Sequence, residues 1–281
     1  MTMQVKDKHL TIMSVLAVLA LFLGIGIQAA LAVDRGTRES AQAQQIVEEL
    51  GQAVLDARQG WAERTVLDTE ALAALPARKA QAYEDLHLEL LLLVNPWHPL
   101  PDDYRVWLQP VAVDQIGDQK QEMDVRCADA LEEMLAACEY AGYSPYVCSS
   151  YRTMGMQQIL YYNKLSKLLE WGWGYDEATV QAAQSVAYPG TSEHQLGLAA
   201  DIIDFYYTEL DQGQENTDTQ KWLMENSWRY GFILRYPNGT TDITGIIYEP
   251  WHYRYVGKYF AQQIHEKGVT LEEYIMLRRG R

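Results

Sequence analysis

A nearly continuous run of hydrophobic residues stands near the start of the chain, from Leu10 to Val33. A helix of this length spans about 36 Å, which exceeds the roughly 30 Å hydrocarbon core of a bilayer. Lys6 and Lys8 precede the run, and lysines on that side favour an amino terminus inside the cell. The pattern predicts a single-pass membrane anchor over residues 1–33, with the rest of the chain outside. A signal peptide cleaved after Ala30-Leu31-Ala32 is the alternative.

The following segment, residues 34–89, has hydrophobic residues at helical spacing among many Ala, Glu, Gln and Arg residues. Ile46, Leu50 and Val54 recur every four positions, which is typical of an amphipathic helix. Three prolines between Pro96 and Pro101 then exclude a helix. We predict a helical stalk over residues 34–89 and a second domain over residues 90–281.

In the second domain, stretches of helical periodicity alternate with short β-rich runs. A hydrophobic spacing of three or four residues indicates helices, and alternation or a short apolar run indicates strands. The predicted helices are Cys127–Ala141, Met156–Trp171, Trp222–Tyr230, Lys258–Glu266 and Leu271–Arg278. The predicted strands are Tyr146–Tyr151, Leu198–Phe205, Phe232–Tyr236, Ile243–Tyr248 and His252–Val256, and the pattern over 181–187 is ambiguous.

Charge and cysteine content narrow the function classes. The formal net charge is −15, and such an acidic surface repels phosphate backbones, so nucleic acid is not an expected partner. The three cysteines are too few for a disulfide framework. Cys138 and Cys148 pair only if the end of one helix folds against the next strand; otherwise the thiols are small buried hydrophobic groups.

Two short stretches carry the residue types that bind zinc. Ser192 to Asp201 offers the imidazole of His194 and the carboxylate of Asp201, and Glu249 and His252 form a second cluster. Two histidines and one carboxylate, with a free acid beside them, match an open zinc site whose fourth position is left for water. Any single histidine is more often structural or solvated, so the residues alone leave both interpretations open.

Several motifs together resemble the zinc D-alanyl-D-alanine carboxypeptidases of the VanY type. Ser192-x-His194-x-x-Gly197-x-Ala199-x-Asp201 precedes Glu249-Pro250-Trp251-His252, as in that family. The resemblance extends to Ser149–Thr153 and Trp228–Phe232, and it covers about Leu90 to Gly257. It implies an α+β fold, in which a small, mainly antiparallel sheet has helices packed on one side and a zinc cleft across it.

The resemblance also implies roles for individual residues. His194, Asp201 and His252 resemble the ligands of one zinc ion. Glu249 resembles the general base that takes a proton from water and passes it to the leaving amine, and Arg152 resembles the residue that stabilises the oxyanion.

Three further positions resemble substrate contacts of that family. They are Ser192, Gln157 and Trp251. The implied substrate is a peptidoglycan stem peptide, from which the enzyme removes the terminal D-alanine. Peptidoglycan lies outside the membrane, where the predicted anchor would place the catalytic domain.

Other functions remain open from the sequence. An L,D-carboxypeptidase acting on tetrapeptide stems and a dipeptidase for free D-Ala-D-Ala share the same motifs. A zinc-binding wall module without catalysis is a different class. Glu249 and Arg152 favour an enzyme, because a structural zinc ion needs neither residue.

Overall fold

The computed structural model describes residues 87–112 and 120–279, which belong to one compact unit, Gly60–Arg281. The predicted anchor and nearly all of the predicted stalk lie outside the described residues. Among the residues that are described, no helix is long and apolar enough to cross a membrane.

Two antiparallel sheets form the β-structure of the described part. The smaller sheet pairs β1 (Leu108–Pro110) with β2 (Glu122–Asp124). The larger contains β3 (Pro145–Ser149), β4 (Ala199–Asp204), β5 (Phe232–Tyr236) and β6 (Glu249–Tyr255) in the order β3-β4-β6-β5. The two central strands, β4 and β6, carry the motifs that the sequence singled out.

Helices connect and cover these strands. They are α1 (Ala128–Tyr140), α2 (Met154–Glu170), α3 (Tyr175–Ser185), α4 (Asp218–Asn226), the four-residue α5 (Thr241–Thr244), α6 (Lys258–Lys267) and α7 (Leu271–Arg279). Short 3-10 turns occupy Leu88–Leu91, Glu193–Leu196, Gln212–Asn216 and Ser227–Tyr230. The result is the α+β class that the resemblance implied.

The main hydrophobic core lies between one face of the larger sheet and α1. Leu131 and Met134 of α1 are fully buried in one cluster with Ile202 of β4 and Phe232 of β5. Ile233 follows Phe232 and therefore faces the other way, into a second cluster with α6 and α7. The expectation of helices on one side is thus wrong, because α6 and α7 cover part of the opposite face.

Most predicted elements are confirmed to within a few residues, and the ambiguous stretch 181–187 is largely helix α3. The strand predicted at Ile243–Tyr248 is wrong. Its first residues belong to α5, and the backbone N–H of Ile247 donates to the carbonyl of Gln184 in α3. The antiparallel partner of β5 is β6. The three cysteines are free thiols, so the considered Cys138–Cys148 pair does not form.

Candidate metal centre

His194 lies on the 3-10 turn Glu193–Leu196, which leads directly into β4. Its Nδ1 is 2.6 Å from the carbonyl oxygen of Ser150. Because a carbonyl only accepts, Nδ1 carries the proton, and Nε2 keeps a free lone pair. Burial, followed by the Arg152 cation, lowers the pKa of His194 to about 4. The ring is therefore neutral, as a metal ligand must be.

Asp201 and His252 are direct cross-strand partners on β4 and β6, which puts both side chains on the face of the sheet that His194 approaches. Asp201 Oδ2 is 3.2 Å from His194 Nε2, and Asp201 Oδ1 is 3.0 Å from His252 Nδ1. One ligand atom of each residue lies within 4.8 Å of the other two. The structure thus brings together the three metal ligands predicted from the sequence.

Neighbouring charges shift the pKa values of Asp201 and His252 in opposite directions. Burial acts to raise the pKa of Asp201, but His194 and Arg152 outweigh it and hold that pKa well below its usual range. Burial acts to lower the pKa of His252, but Asp201 and Glu193 outweigh it and raise the pKa to about 9. Two imidazole nitrogens and a carboxylate oxygen are the donor set that zinc takes in open sites, so these residues fit that ion.

Glu249 begins β6, on the rim of the trio. Its Oε2 is 3.8 Å from His252 Nδ1, and the side chain is almost fully buried. Burial raises the pKa of Glu249 to about 8, and the nearby Asp201 carboxylate adds to the increase. A carboxyl group whose pKa lies near neutrality and which stands beside a metal site has the properties of a general acid–base.

Arg152 follows β3 and approaches the trio from the side. Its Nη2 donates to Asp201 Oδ2 at 2.6 Å, and its Nε donates to Ser149 Oγ at 2.8 Å. The guanidinium is therefore held within reach of the metal ligands by two hydrogen bonds. A fixed cation at that place can stabilise negative charge that develops on a substrate oxygen.

The three predicted substrate contacts are all buried side chains. Ser192 precedes the His194 turn and is buried. Gln157 of α2 is fully buried; its amide donates to the carbonyl of Ala187, and its carbonyl oxygen has no partner in residues 87–112 and 120–279. Trp251 is nearly buried in a small cluster with Tyr146 and Ile203. Their contact with a substrate stays a prediction.

Sequence reasoning missed a group of buried charges behind His252. Glu193 accepts hydrogen bonds from Arg235 of β5 and Arg254 of β6, and Arg235 also pairs with Glu272 of α7. The signal was present for Arg235, which stands inside the otherwise apolar run Phe232–Tyr236. A charged residue in such a place is tolerated only when it is paired. The partners could not be named without the fold.

Comparison with known proteins gives a consistent result. The family model described as "VanY: D-alanyl-D-alanine carboxypeptidase" matches residues 120–258. A D-alanyl-D-alanine carboxypeptidase of Enterococcus faecalis is 40% identical over 66% of this chain and 65% of its own length. The "Putative carboxypeptidase YodJ" of Bacillus subtilis is 38% identical over 66% of each chain. The chain therefore spans just under two thirds of the length of these relatives.

Solved structures agree with the sequence matches. The structure titled "VanYB in complex with D-Alanine-D-Alanine" is 40% identical, with a TM-score of 0.60 over 66% of this chain and 97% of the other. A Zn(II) complex of a VanY D,D-pentapeptidase mutant is 39% identical, with a TM-score of 0.59 over 66% of this chain and 98% of the other. The buried His-Asp-His trio, the family model and these relatives together establish that the chain belongs to the VanY D-alanyl-D-alanine carboxypeptidase family.

Proposed function

We propose that the protein is a zinc-dependent D,D-carboxypeptidase that hydrolyses the terminal D-alanine from peptidoglycan stem peptides. The observation that carries the proposal is the buried trio His194, Asp201 and His252 with the carboxyl group of Glu249 3.8 Å from His252. This arrangement combines an open metal site with a proton acceptor that is not itself one of the three ligands.

In the proposed reaction, His194, Asp201 and His252 would hold one zinc ion, and that ion would supply a water molecule whose pKa is lowered to roughly 7. Glu249 accepts the proton from the water that attacks the peptide carbonyl. The same carboxyl group then donates this proton to the nitrogen of the leaving D-alanine as the C–N bond breaks. Arg152 pairs with the oxyanion or with the terminal carboxylate of the substrate.

The test is to incubate the purified protein with zinc and with pentapeptide and tetrapeptide stem peptides, and to weigh the products. We expect the pentapeptide to lose one alanine. Loss of alanine from the tetrapeptide alone would reassign the protein as an L,D-carboxypeptidase. No cleavage of either peptide by the zinc-loaded protein would contradict a carboxypeptidase function.

An L,D-carboxypeptidase is the second candidate because relatives with that specificity share the fold. The structure titled "Structure of the LdcB LD-carboxypeptidase reveals the molecular basis of peptidoglycan recognition" is 38% identical, with a TM-score of 0.59 over 86% of that chain. The metal ligands act on the scissile bond alone. The chirality of the residue before that bond must therefore be read by other residues of the cleft.

We also propose that Leu10–Val33 anchors the protein in the membrane, with the catalytic domain outside. The length of the apolar run and the preceding Lys6 and Lys8 support this placement. Fractionation of cells, followed by protease treatment of protoplasts, tests it. The expected product is membrane-bound and protease-accessible. A purely cytosolic product, or a freely secreted form that begins near Val33, would contradict the anchor.

A further inference from the structure

Two buried polar atoms face each other behind the metal centre. Among the residues that the structure describes, Glu193 Oε2 and His252 Nε2 have no hydrogen-bond partner, and they are 3.6 Å apart. Each side chain has little or no exposed surface. Buried polar atoms without a partner are rare and call for an explanation. A shift of about 0.7 Å at either side chain would give the pair an ordinary hydrogen-bond length.

The other end of the Glu193 carboxylate is firmly held. Its Oε1 accepts from Arg235 Nε at 2.8 Å and from Arg254 Nη1 at 2.7 Å. Arg235 in turn makes two hydrogen bonds, of 2.8 and 2.6 Å, to the carboxylate of Glu272. Arg254 donates through Nη2 to the carbonyls of Leu90 and Leu92. We call Glu193, Arg235, Arg254 and Glu272 the buried quartet.

The buried quartet has two positive and two negative groups, so it satisfies its own charge. A purely structural function requires only that Glu193 accept from the two arginines, which Oε1 already does alone. Oε2 is left over, and it points at the one imidazole nitrogen of His252 that faces away from Asp201. The arrangement has the pattern of a carboxylate that orients a metal-binding histidine from behind.

We propose that Glu193 is a positioning residue, which accepts a hydrogen bond from Nε2–H of His252 and thereby keeps Nδ1 free for the metal. An imidazole that binds a cation through one nitrogen carries its proton on the other. The buried quartet fixes the carboxylate, and the carboxylate fixes the tautomer and the orientation of the ring. This inference rests on the metal site of the proposed function.

The experiment compares Glu193→Gln with Glu272→Gln in the full-length protein. Each variant removes one negative charge from the buried quartet and weakens a contact of the same Arg235, but only Glu193 faces His252. We expect both variants to have lowered melting temperatures. We expect zinc affinity, measured by competition with a chelator, to fall about 10–100-fold in Glu193→Gln and less than threefold in Glu272→Gln.

Equal zinc affinities in the two variants would overturn the proposal, because Glu193 would then serve only the arginines. If the wild-type protein itself bound no zinc, the proposed function would fail instead, so the two failures are distinguishable. Separate measurement of kcat and KM adds a second readout. A displaced metal ligand should lower kcat more than it changes KM.

A measurement on the wild-type protein protects the test against variants that do not fold. Nitrogen-15 NMR of the histidine rings in the zinc-loaded protein reports which nitrogen carries the proton. We expect His252 to be protonated at Nε2, with a proton that exchanges slowly with solvent. Protonation at Nδ1, or metal coordination through Nε2, would contradict the assignment of Glu193.

Discussion

At the scale of single residues, two buried carboxyl groups, 3.0 and 3.8 Å from His252 Nδ1, have pKa values shifted in opposite directions. Asp201 lies between two histidines and an arginine, which hold its pKa well below the usual range despite burial. For Glu249 burial is the largest effect, and it raises the pKa of this group to about 8.

A bound cation will lower the pKa of Glu249. Since the base must be ionised to accept a proton, we expect kcat/KM to rise with pH and level off at or below pH 8.

The first of four predictions on altered proteins concerns Glu249→Gln. The substitution keeps the size of the side chain but removes the proton acceptor, so the rate should fall about 10²–10⁴-fold. Zinc content should remain at one equivalent, because the three predicted ligands His194, Asp201 and His252 do not include Glu249. Carboxypeptidase rate and metal content are measured on the same sample. A near-normal rate would remove Glu249 from the mechanism, and a lost metal would make it a ligand or an orienting residue.

The second prediction concerns the ligands themselves. His194→Ala and Asp201→Ala each remove one of three protein donors, so both purified proteins should contain far less than one equivalent of zinc. Metal analysis after dialysis measures this directly. Gln157→Ala is a suitable control, since Gln157 is equally buried but is not one of the three ligands. A full equivalent of zinc in both ligand variants would refute the assignment.

The metal ligands could be predicted from the sequence because each lies in a short motif whose residue types and order can be recognised locally. His194 and Asp201 are seven positions apart, and His252 and Glu249 are three apart. The buried quartet could not be predicted, because Glu193 and Glu272 meet Arg235 only through folding of separate elements. Pairing across such distances along the chain leaves no periodic signal.

At the scale of elements, the wrong strand at Ile243–Tyr248 shows where local pattern fails. Its residues favour β-structure, but the place beside β5 is taken by β6, whose His252 must face Asp201. Gly245 has a positive φ of 79°, so the chain turns here and is not extended, and an added Cβ would lie 2.7 Å from Pro96 Cγ. Tertiary packing therefore overrides the local β-propensity.

The third prediction concerns Gly197, which joins the His194 turn to β4. Its φ is +72°, and an added Cβ would lie 2.7 Å from Val106 Cγ2 and 3.3 Å from the backbone nitrogen of Asp124. Gly197→Ala should therefore lower the free energy of unfolding by roughly 2–4 kcal/mol, combining left-handed strain with overpacking.

Gly239→Ala is the matched control for this prediction. Gly239 has a similar φ of +79° but nothing within 4 Å of an added Cβ, so only the left-handed strain of about 1–2 kcal/mol applies. Urea denaturation of the two variants gives the comparison. Equal losses of stability would show that the close approach of Gly197 to Val106 is unimportant.

At the scale of the whole molecule, the metal centre depends on the first few residues of the predicted second domain. Leu90, Leu91 and Val94 are buried in the two main clusters. The carbonyls of Leu90 and Leu92 accept hydrogen bonds from Arg254, two residues after the ligand His252. The motifs alone predict the metal centre. Its dependence on the contacts of Leu90 and Leu92 with Arg254 can be known only from the packing.

The fourth prediction compares two shortened proteins, one that begins at residue 87 and one that begins at residue 95. The first keeps every contact just described, so it should unfold cooperatively and bind one zinc ion. The second loses three buried apolar side chains, each worth about 1.5–3 kcal/mol, and leaves Arg254 without two acceptors. That loss is comparable to the whole stability of a typical domain, about 5–15 kcal/mol.

Thermal unfolding followed by circular dichroism measures the difference. The first protein should show a cooperative transition, and the second should show a transition at a much lower temperature or none. Identical melting temperatures would mean that residues 87–94 only lie on the domain and do not support the metal centre.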